Sequence, residues 1–414
     1  MSSYLRLTKT SALGALSAAI LVALTGCGSD SDNSSSGGST TAPPTATASF
    51  SQSAEWTISG ASLNPNVQTC FDFDSDSEVD CSSATWDVKF DNQQRGVSLW
   101  SNSGSSGDGD GGVFGLMDWS ELSAYNNGMQ DPETNSDITH HYNEDNSGGI
   151  FDSDSWYAYN IAENHKLYPN NRVYLITTDH TDPATASSVQ QPIYAMQIIN
   201  YYDEAGESGH PTVRWIDTAM PRADQVKTKT IDATSNTEWT YLNLKTGNIV
   251  DDATKQWQVA FRRNSVKLNG GASGTGKVGG FVANTPDGYY DDKDEPIRAK
   301  FMTDNKEQSL ANLLNVTDFD TPKSAGSWMV DSDSSDLNPG YTGTYPNLDF
   351  GWYTYNGMTH QLSAKPDDKA QGALIRSNSG DSYARMRLTQ INYPDATTTK
   401  ATSWVFKFDV QPAQ

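Results

Sequence analysis

Basic residues, cysteines, histidines and long apolar runs are all scarce in this 414-residue chain, and each scarcity excludes something. Lys and Arg number 28 against 51 Asp and Glu, a formal net charge of −23. The clustered cations that hold a nucleic-acid backbone or an anionic bilayer surface are therefore missing. Most of the acidic excess falls in residues 28–222, where an acidic face would keep a secreted protein soluble in salty water. No G-x-S-x-G or H-E-x-x-H motif occurs, and carboxylate pairs such as Asp203-Glu204 have no distinguishing spacing, so the reading is not an enzyme.

The one long apolar run, Ser11 to Ala23, follows Arg6 and Lys9 and is too short to span a bilayer comfortably. Leu24-Thr25-Gly26-Cys27 then reads as a lipobox, so residues 1–26 are expected to be a lipoprotein signal peptide and Cys27 the lipidated N-terminus. Gly28 follows the cysteine where an Asp would favour inner-membrane retention, and the expected location is the outer membrane, lipid-anchored. Residues 27–49, rich in Ser and Thr, lack large apolar side chains and read as a flexible tether. Cys70 and Cys81 are the only other cysteines, and an oxidising compartment makes a short-loop disulfide the expectation, two free thiols the alternative.

What is abundant is repetition. AEWTISG (Ala54–Gly60) resembles TEWTYLN (Thr237–Asn243), and WDVKF (Trp86–Phe90) with its glycine-rich sequel resembles WQVAF (Trp257–Phe261) with its own. WYAYNIAENH (Trp156–His165) returns as WYTYNGMTH (Trp352–His360), and YAMQIINYY is echoed by YARMRLTQINY. Blocks recurring in one order predict tandem domains, 50–222 and 223–414, divided near Pro221 and Arg222. Within the blocks apolar residues alternate with period two, and Gly, Asn, Asp and Pro clusters separate them. TGN (Thr246–Asn248) and SGD (Ser379–Asp381) read as hairpin turns, and only KEQSLANLL, around Glu307–Leu314, reads as a short helix. The expected fold class is all-β, two tandem antiparallel domains.

The stretches VKTKTIDATSNTEWTYLNLKTGNIV, WQVAFRRNSVKLNGGASGTGKVGG, GWYTYNGMTHQL and SYARMRLTQINY together resemble the HmuY family of lipoproteins. The resemblance covers nearly all of 226–410 and, more loosely, 50–216. It implies an all-β haem-binding protein of the bacterial outer surface that passes haem to a TonB-dependent outer-membrane receptor. A haem site needs axial donors, an apolar slot and a cation near the propionates. The family's second ligand position falls on Ile161 and Gly357, which carry no donor. The axial candidates are then Met358, His360 and Met329 in the second copy, and His165, His140 and His141 in the first. An extended His140-His141 pair would point its rings to opposite faces. Trp352, Tyr353 and Tyr355, with Trp156, Tyr157 and Tyr159, are the pocket candidates. Ligand residues favour the first copy and charge favours the second, where Arg262, Arg263, Lys267, Arg298, Lys300, Arg376, Arg385 and Arg387 lie.

A different ligand is conceivable at CFDFDSDSEVDC, where Asp72, Asp74, Asp76, Glu78 and Asp80 alternate along the chain. Calcium takes six to eight oxygens, but the glycine of a tight calcium loop is absent, and a solvated strand face is the simpler reading. The leading expectation is haem capture for uptake through an outer-membrane receptor. The alternative is a structural, adhesive or transporter-accessory lipoprotein that keeps the fold without haem and is stabilised by calcium.

Overall fold

The structure, a computed structural model, describes residues 49–414 apart from 94–95, 183–190, 304–305, 316–318 and 320. The signal peptide, Cys27 and the tether to residue 48 lie outside the described residues. Alternation of apolar and polar residues builds nearly every element. In β1 (Gln52–Ser59) the side chains of Ala54, Trp56 and Ile58 are buried while their neighbours face water. After β1 come β2 (Val67–Asp72), β3 (Ser77–Val79), β4 (Val88–Gln93), β5 (Gly96–Ser101) and β6 (Gly112–Asp118). The middle of the chain carries β7 (Asn146–Gly148), β8 (Tyr157–Tyr159), β9 (Leu167–Pro169), β10 (Val173–Thr177), β11 (Ile193–Tyr202) and β12 (Ser208–Asp217). It continues through β13 (Lys227–Thr230), β14 (Thr240–Asn243), β15 (Asn248–Val250), β16 (Val259–Arg262), β17 (Ser265–Leu268) and β18 (Gly279–Asn284). The last stretch holds β19 (Ser332–Ser334), β20 (Thr342–Thr344), β21 (Asn347–Asp349) and β22 (Tyr353–Asn356). It ends with β23 (Gln361–Ala364), β24 (Gln371–Arg376), β25 (Tyr383–Asn392) and β26 (Ser403–Gln411).

The all-β expectation holds, with every strand pairing antiparallel. The sheets do not divide at Pro221–Arg222, however. One five-stranded sheet runs β1-β26-β25-β24-β6 and so joins the two ends of the chain. The other runs β13-β12-β11-β10-β18 and straddles the expected boundary. Each has a smaller companion of the same order of elements, β3-β2-β4-β5 in the first lobe and β15-β14-β16-β17 in the second. Lobe 2 is thus one continuous stretch inserted into lobe 1, and each lobe combines strands from both sequence copies. The chain passes between lobes through β7 and β19, which pair with each other.

Loop closure accounts for this arrangement. β12 ends at Asp217 and β13 begins at Lys227, and the short link lets them pair as sequential neighbours, Arg214 opposite Thr228. A local pairing of this kind costs less chain entropy than sending β13 to a separate domain. It also corrects one repeat. Ala54–Ser59 belongs to β1, whose counterpart in lobe 2 is β13, whereas the similar Thr237–Asn243 leads into β14, the counterpart of β2. The Thr246–Asn248 and Ser379–Asp381 segments lie at the predicted hairpin turns, between β14 and β15 and between β24 and β25.

Aromatic residues fill the core of lobe 1. Trp56 stacks on Phe71 at 5.3 Å and meets Phe90 edge-on, while Phe71 stacks on Phe408. Burying each such ring contributes about 2–3 kcal/mol before any ring-ring term. Cys70 and Cys81 are disulfide-bonded, with a Cα–Cα distance of 5.2 Å, and tie β2 to the segment after β3. In lobe 2 the predicted helix Lys306–Leu314 covers the outer face of the large sheet, placing Leu313 with Val173, Leu175 and Ala195. β11 is consequently buried on both faces. Its Gln197 amide donates to the Asn171 carbonyl and accepts from Arg214, whose guanidinium burial pushes down to about 10.

The passages between lobes are tight. A Cβ on Gly271 would lie 2.0 Å from the Asp331 carbonyl oxygen, and one on Gly104 would lie 1.9 Å from that of Asp145. Both glycines have positive φ, 64° and 52°, so two constraints coincide at each. Asp145 and Asp331 are themselves buried and accept the N–H groups of Ser101 and Leu268 respectively. Burial raises both carboxyls to about 6.

Candidate ligand groove

The meander β20-β21-β22-β23 forms one wall of an open groove of about 890 Å³ in lobe 1. From it Leu348, Phe350, Tyr353, Tyr355, His360 and Leu362 face the cavity. Leu63, Pro65 and Val97 supply the opposite wall from the first sequence copy, and Trp404, Ala401 and Lys400 close one side from the segment leading into and beginning β26. The rings are fixed: Trp404 meets Tyr353 edge-on at 5.3 Å, and the Tyr393 hydroxyl accepts the Leu362 N–H at 2.8 Å. The cavity is within the size range, roughly 300–1,000 Å³, that holds drug-sized ligands.

Charge separates this groove from the rest of the surface. Its described lining contains no Asp or Glu, although the chain has 51 of them, and its one cation is Lys400. The Lys400 ammonium donates to the Asn64 side chain at 3.2 Å. Two other cavities of lobe 1 differ. One is lined by Asp336, Asp349 and Lys365, another by Glu55, Asp76 and Asp409 with Arg387 and Lys407.

His360 is the only His, Cys or Met in the described lining, and the local sequence explains its position. In YNGMTH the Asn356 side chain accepts the N–H groups of Met358 and Thr359, and its carbonyl accepts that of His360 at 2.7 Å. His360 adopts φ of 56°, which turns its ring back onto β22, where Nδ1 meets the Tyr355 hydroxyl at 2.7 Å. The same device recurs in lobe 2. His165 has φ of 55°, its N–H donates to Asn160, and its Nδ1 meets the Tyr159 hydroxyl at 2.8 Å.

The candidate iron ligands do not assemble as the sequence repeats imply, because the interleaving re-pairs them. Met329, expected beside His360, lies in lobe 2, bridged to Gly280 with its sulfur 3.5 Å from the Ser153 hydroxyl. His140 and His141 do share lobe 1 with His360, but on the other face of the large sheet. Ala373 and Ile375 of β24 point into the groove-side core, whereas Leu374 points into the cluster of Leu122, Tyr125 and Tyr142. His141 stacks on Phe114 of that outer cluster at 5.5 Å. The His140 and His141 rings sit 4.1 Å apart on a tight helical turn, so they do not splay to opposite faces. Met358 is 72% exposed at the hairpin tip and does not line the groove. A Cβ on Gly357 beneath it would lie 2.3 Å from the exposed Tyr345 ring, which would have to shift.

Among the aromatic candidates, Tyr353 and Tyr355 line the groove, while Trp352 lies behind it, buried, with Nε1 donating to the Leu337 carbonyl at 2.7 Å. Trp156 donates to the Asn264 carbonyl at 3.1 Å, and Asn264 donates to the Tyr157 hydroxyl. Trp156 also packs on Tyr201, while Tyr159 stays exposed. Sequence reasoning missed Trp404, Tyr393, Lys400 and the wall from Leu63 to Val97. Tyr393 has a legible counterpart, Tyr202, which accepts the Leu167 N–H at 2.8 Å. The Leu63–Val97 wall has no signal, since it comes from the other copy.

The acidic loop is bound up in local structure. Asp72 accepts the N–H groups of Asp74 and Ser75, Asp76 that of Glu55, and Asp80 that of Ser82. Glu78 accepts the indole N–H of Trp56. Of the five calcium candidates, Asp72 and Asp74 approach a third carboxylate, Asp87, with one oxygen from each within 4.8 Å of the others. Asp87 is fully buried, accepts the N–H groups of Phe73 and Asn378, and has its carboxyl raised by burial to about 8. A proton there relieves the crowding of three acids without a cation.

These features define an all-β protein of two interleaved lobes, one of which opens an aromatic groove with a single imidazole among its described lining residues. Residues 235–406 match the family model described as HmuY protein, so that stretch of the chain is HmuY-like. The match begins beside β14 in lobe 2 and ends within β26 in lobe 1, and so follows one sequence copy across both lobes. No curated protein matches the chain. No helix among the described residues is long and apolar enough to cross a membrane.

Proposed function

We propose that the protein captures haem in the lobe 1 groove, at the end of a lipid-anchored tether, and yields it to a TonB-dependent receptor of the outer membrane. The observation that carries this reading is an aromatic groove whose described lining holds no acid, one cation and one imidazole, in an otherwise acidic protein. A flat apolar macrocycle with anionic edges fits that lining: Phe350, Tyr353, Leu362 and Trp404 offer faces to the ring, and Lys400 meets a carboxylate. The Tyr355–His360 pair is the donor set available to the iron. Bound haem would supply the iron that makes the protein useful in acquisition, and the chain's own task is to hold and shield it.

Titration of the full chain with haemin, read by visible absorption and tryptophan quenching, tests this. One equivalent is expected to bind, and Trp404→Ala is expected to weaken binding at least tenfold. Unchanged binding in that variant, or none in the parent, would refute the groove.

A further inference from the structure

We infer that the groove continues into an apolar cleft that takes the vinyl-bearing edge of the porphyrin, so that the site selects protoporphyrin-type rings over rings whose edges are bare or carboxylated. The inference rests on the haem reading above and names the part of the ligand that the site recognises.

The cleft has a volume of about 50 Å³, and Val97, Phe350, Tyr353 and Trp404 line both it and the groove. Its far walls are Leu99, Leu337, Pro339, Trp352 and Phe406, which are absent from the described groove lining. No charged residue stands in the described lining of the cleft, and its one amide, Asn338, is taken up by backbone. The Asn338 side chain accepts the Leu99 N–H at 2.7 Å and donates to the Leu99 carbonyl at 2.8 Å. The Trp352 indole donates to the Leu337 carbonyl. With these groups satisfied inside the protein, the cleft has little to offer water. A space roomy enough for water but poor in polar partners stays dry, and an apolar group fills it favourably.

Interlocked rings keep the space from closing. Phe350 stacks on Tyr353 at 5.2 Å, and Trp352 and Trp404 each meet Phe406 at 6.4 Å. Filling the cleft from within would require shifting β26, which carries Trp404 and Phe406 and is packed in the sheet between β1 and β25.

Charge and apolar recess are separate parts of the site, because Lys400 lines the groove and not the cleft. Protoporphyrin has the same asymmetry: its two propionates share one edge of the ring, and its vinyl groups lie toward the other. A ring that sets its carboxylates toward Lys400 leaves the vinyl edge for the cleft. A two-carbon substituent suits a recess of this size, whereas a propionate there would bury a carboxylate without a cation.

Three ferric porphyrins test the assignment in titrations of the full chain, read by visible absorption and tryptophan quenching. They are haemin, deuterohaemin, with hydrogen in place of each vinyl, and coprohaemin, with a propionate in place of each vinyl. Haemin is expected to bind about tenfold more tightly than deuterohaemin, the worth of burying a two-carbon group. Coprohaemin is expected to bind at least tenfold more weakly than haemin. Leu99→Phe, which fills the cleft, is expected to abolish the preference for haemin over deuterohaemin. Equal affinity of the parent for those two would overturn the inference and leave the groove standing. A preference that survives unchanged in a folded Leu99→Phe protein would do the same. Failure of all three porphyrins to bind would overturn the groove and the inference with it.

Discussion

Val113, from the first sequence copy, lies opposite Ile375 from the second in one large sheet, and Thr177 lies opposite Gly279 in the other. Both edges that close the two sheets are therefore made between copies. In a tandem arrangement β6 would have closed on β10 and β18 on β24. The exchange gives each lobe a complete five-stranded sheet and places the groove walls on segments from both ends of the chain.

The structural unit should therefore be 146–334, not 50–222. Expressed alone, 146–334 is expected to melt in one cooperative transition, because it contains all of β7 through β19. The 50–222 fragment lacks the partners of β1 and β6 and is expected to show no cooperative melt as a monomer. Circular dichroism on the two fragments decides the matter.

The passages between lobes should tolerate no side chain at two glycines. Gly104→Ala and Gly271→Ala each combine a contact near 2 Å with a positive φ. Each is expected to destabilise the protein by at least about 2 kcal/mol, since backbone rather than a flexible side chain must move. Gly60→Ala, with a positive φ but nothing within 4 Å, should cost only about 1 kcal/mol by the same denaturant melt.

Stability should fall as pH rises from about 4 to 8. The folded-state carboxyls of Asp87, at about 8, and of Asp145 and Asp331, at about 6, are raised above their unfolded values. In that window the folded chain holds protons that the unfolded chain has released, so each added pH unit favours unfolding. Melting temperature is expected to be higher at pH 5 than at pH 8. Asp145→Asn with Asp331→Asn should shrink the difference, and an unchanged slope in that double variant would contradict the assignment.

Removing the disulfide should cost about 3 kcal/mol, the entropy of freeing a short loop. Cys70 is fully buried, so Cys70→Ser adds an uncompensated hydroxyl. Cys81→Ser, at a half-buried position, should therefore be the milder of the two by chemical denaturation.

Reversing the groove's cation tests its role at the ligand's anionic edge. Lys400→Glu is expected to weaken haemin roughly five- to tenfold, about 1 kcal/mol for a partly solvated pair, with little change in melting temperature. An effect of the same size on a porphyrin lacking carboxylates would count against a charge contact.

Much of the architecture was legible before the structure. Period-two alternation in WDVKF and WQVAF specified strands whose inward residues, Val88 and Phe90 or Val259 and Phe261, are indeed fully buried. The helix at Lys306–Leu314, the turns after β14 and β24, and the Cys70–Cys81 bridge follow from local composition and spacing. Tyr353, Tyr355 and His360 line one cavity because they share one hairpin.

The sequence by itself determined the elements, their faces and the Tyr–His hairpin, since each depends on residues a few positions apart. Only the tertiary structure decided which copy's strands close which sheet, and hence that His360 shares its lobe with Leu63 and Val97 while Met329 falls in the other lobe. The physical reason is degeneracy. Two similar copies offer nearly equivalent partners for every edge strand, so pattern cannot choose between pairings, and the short Thr218–Val226 link settles the choice through loop-closure entropy.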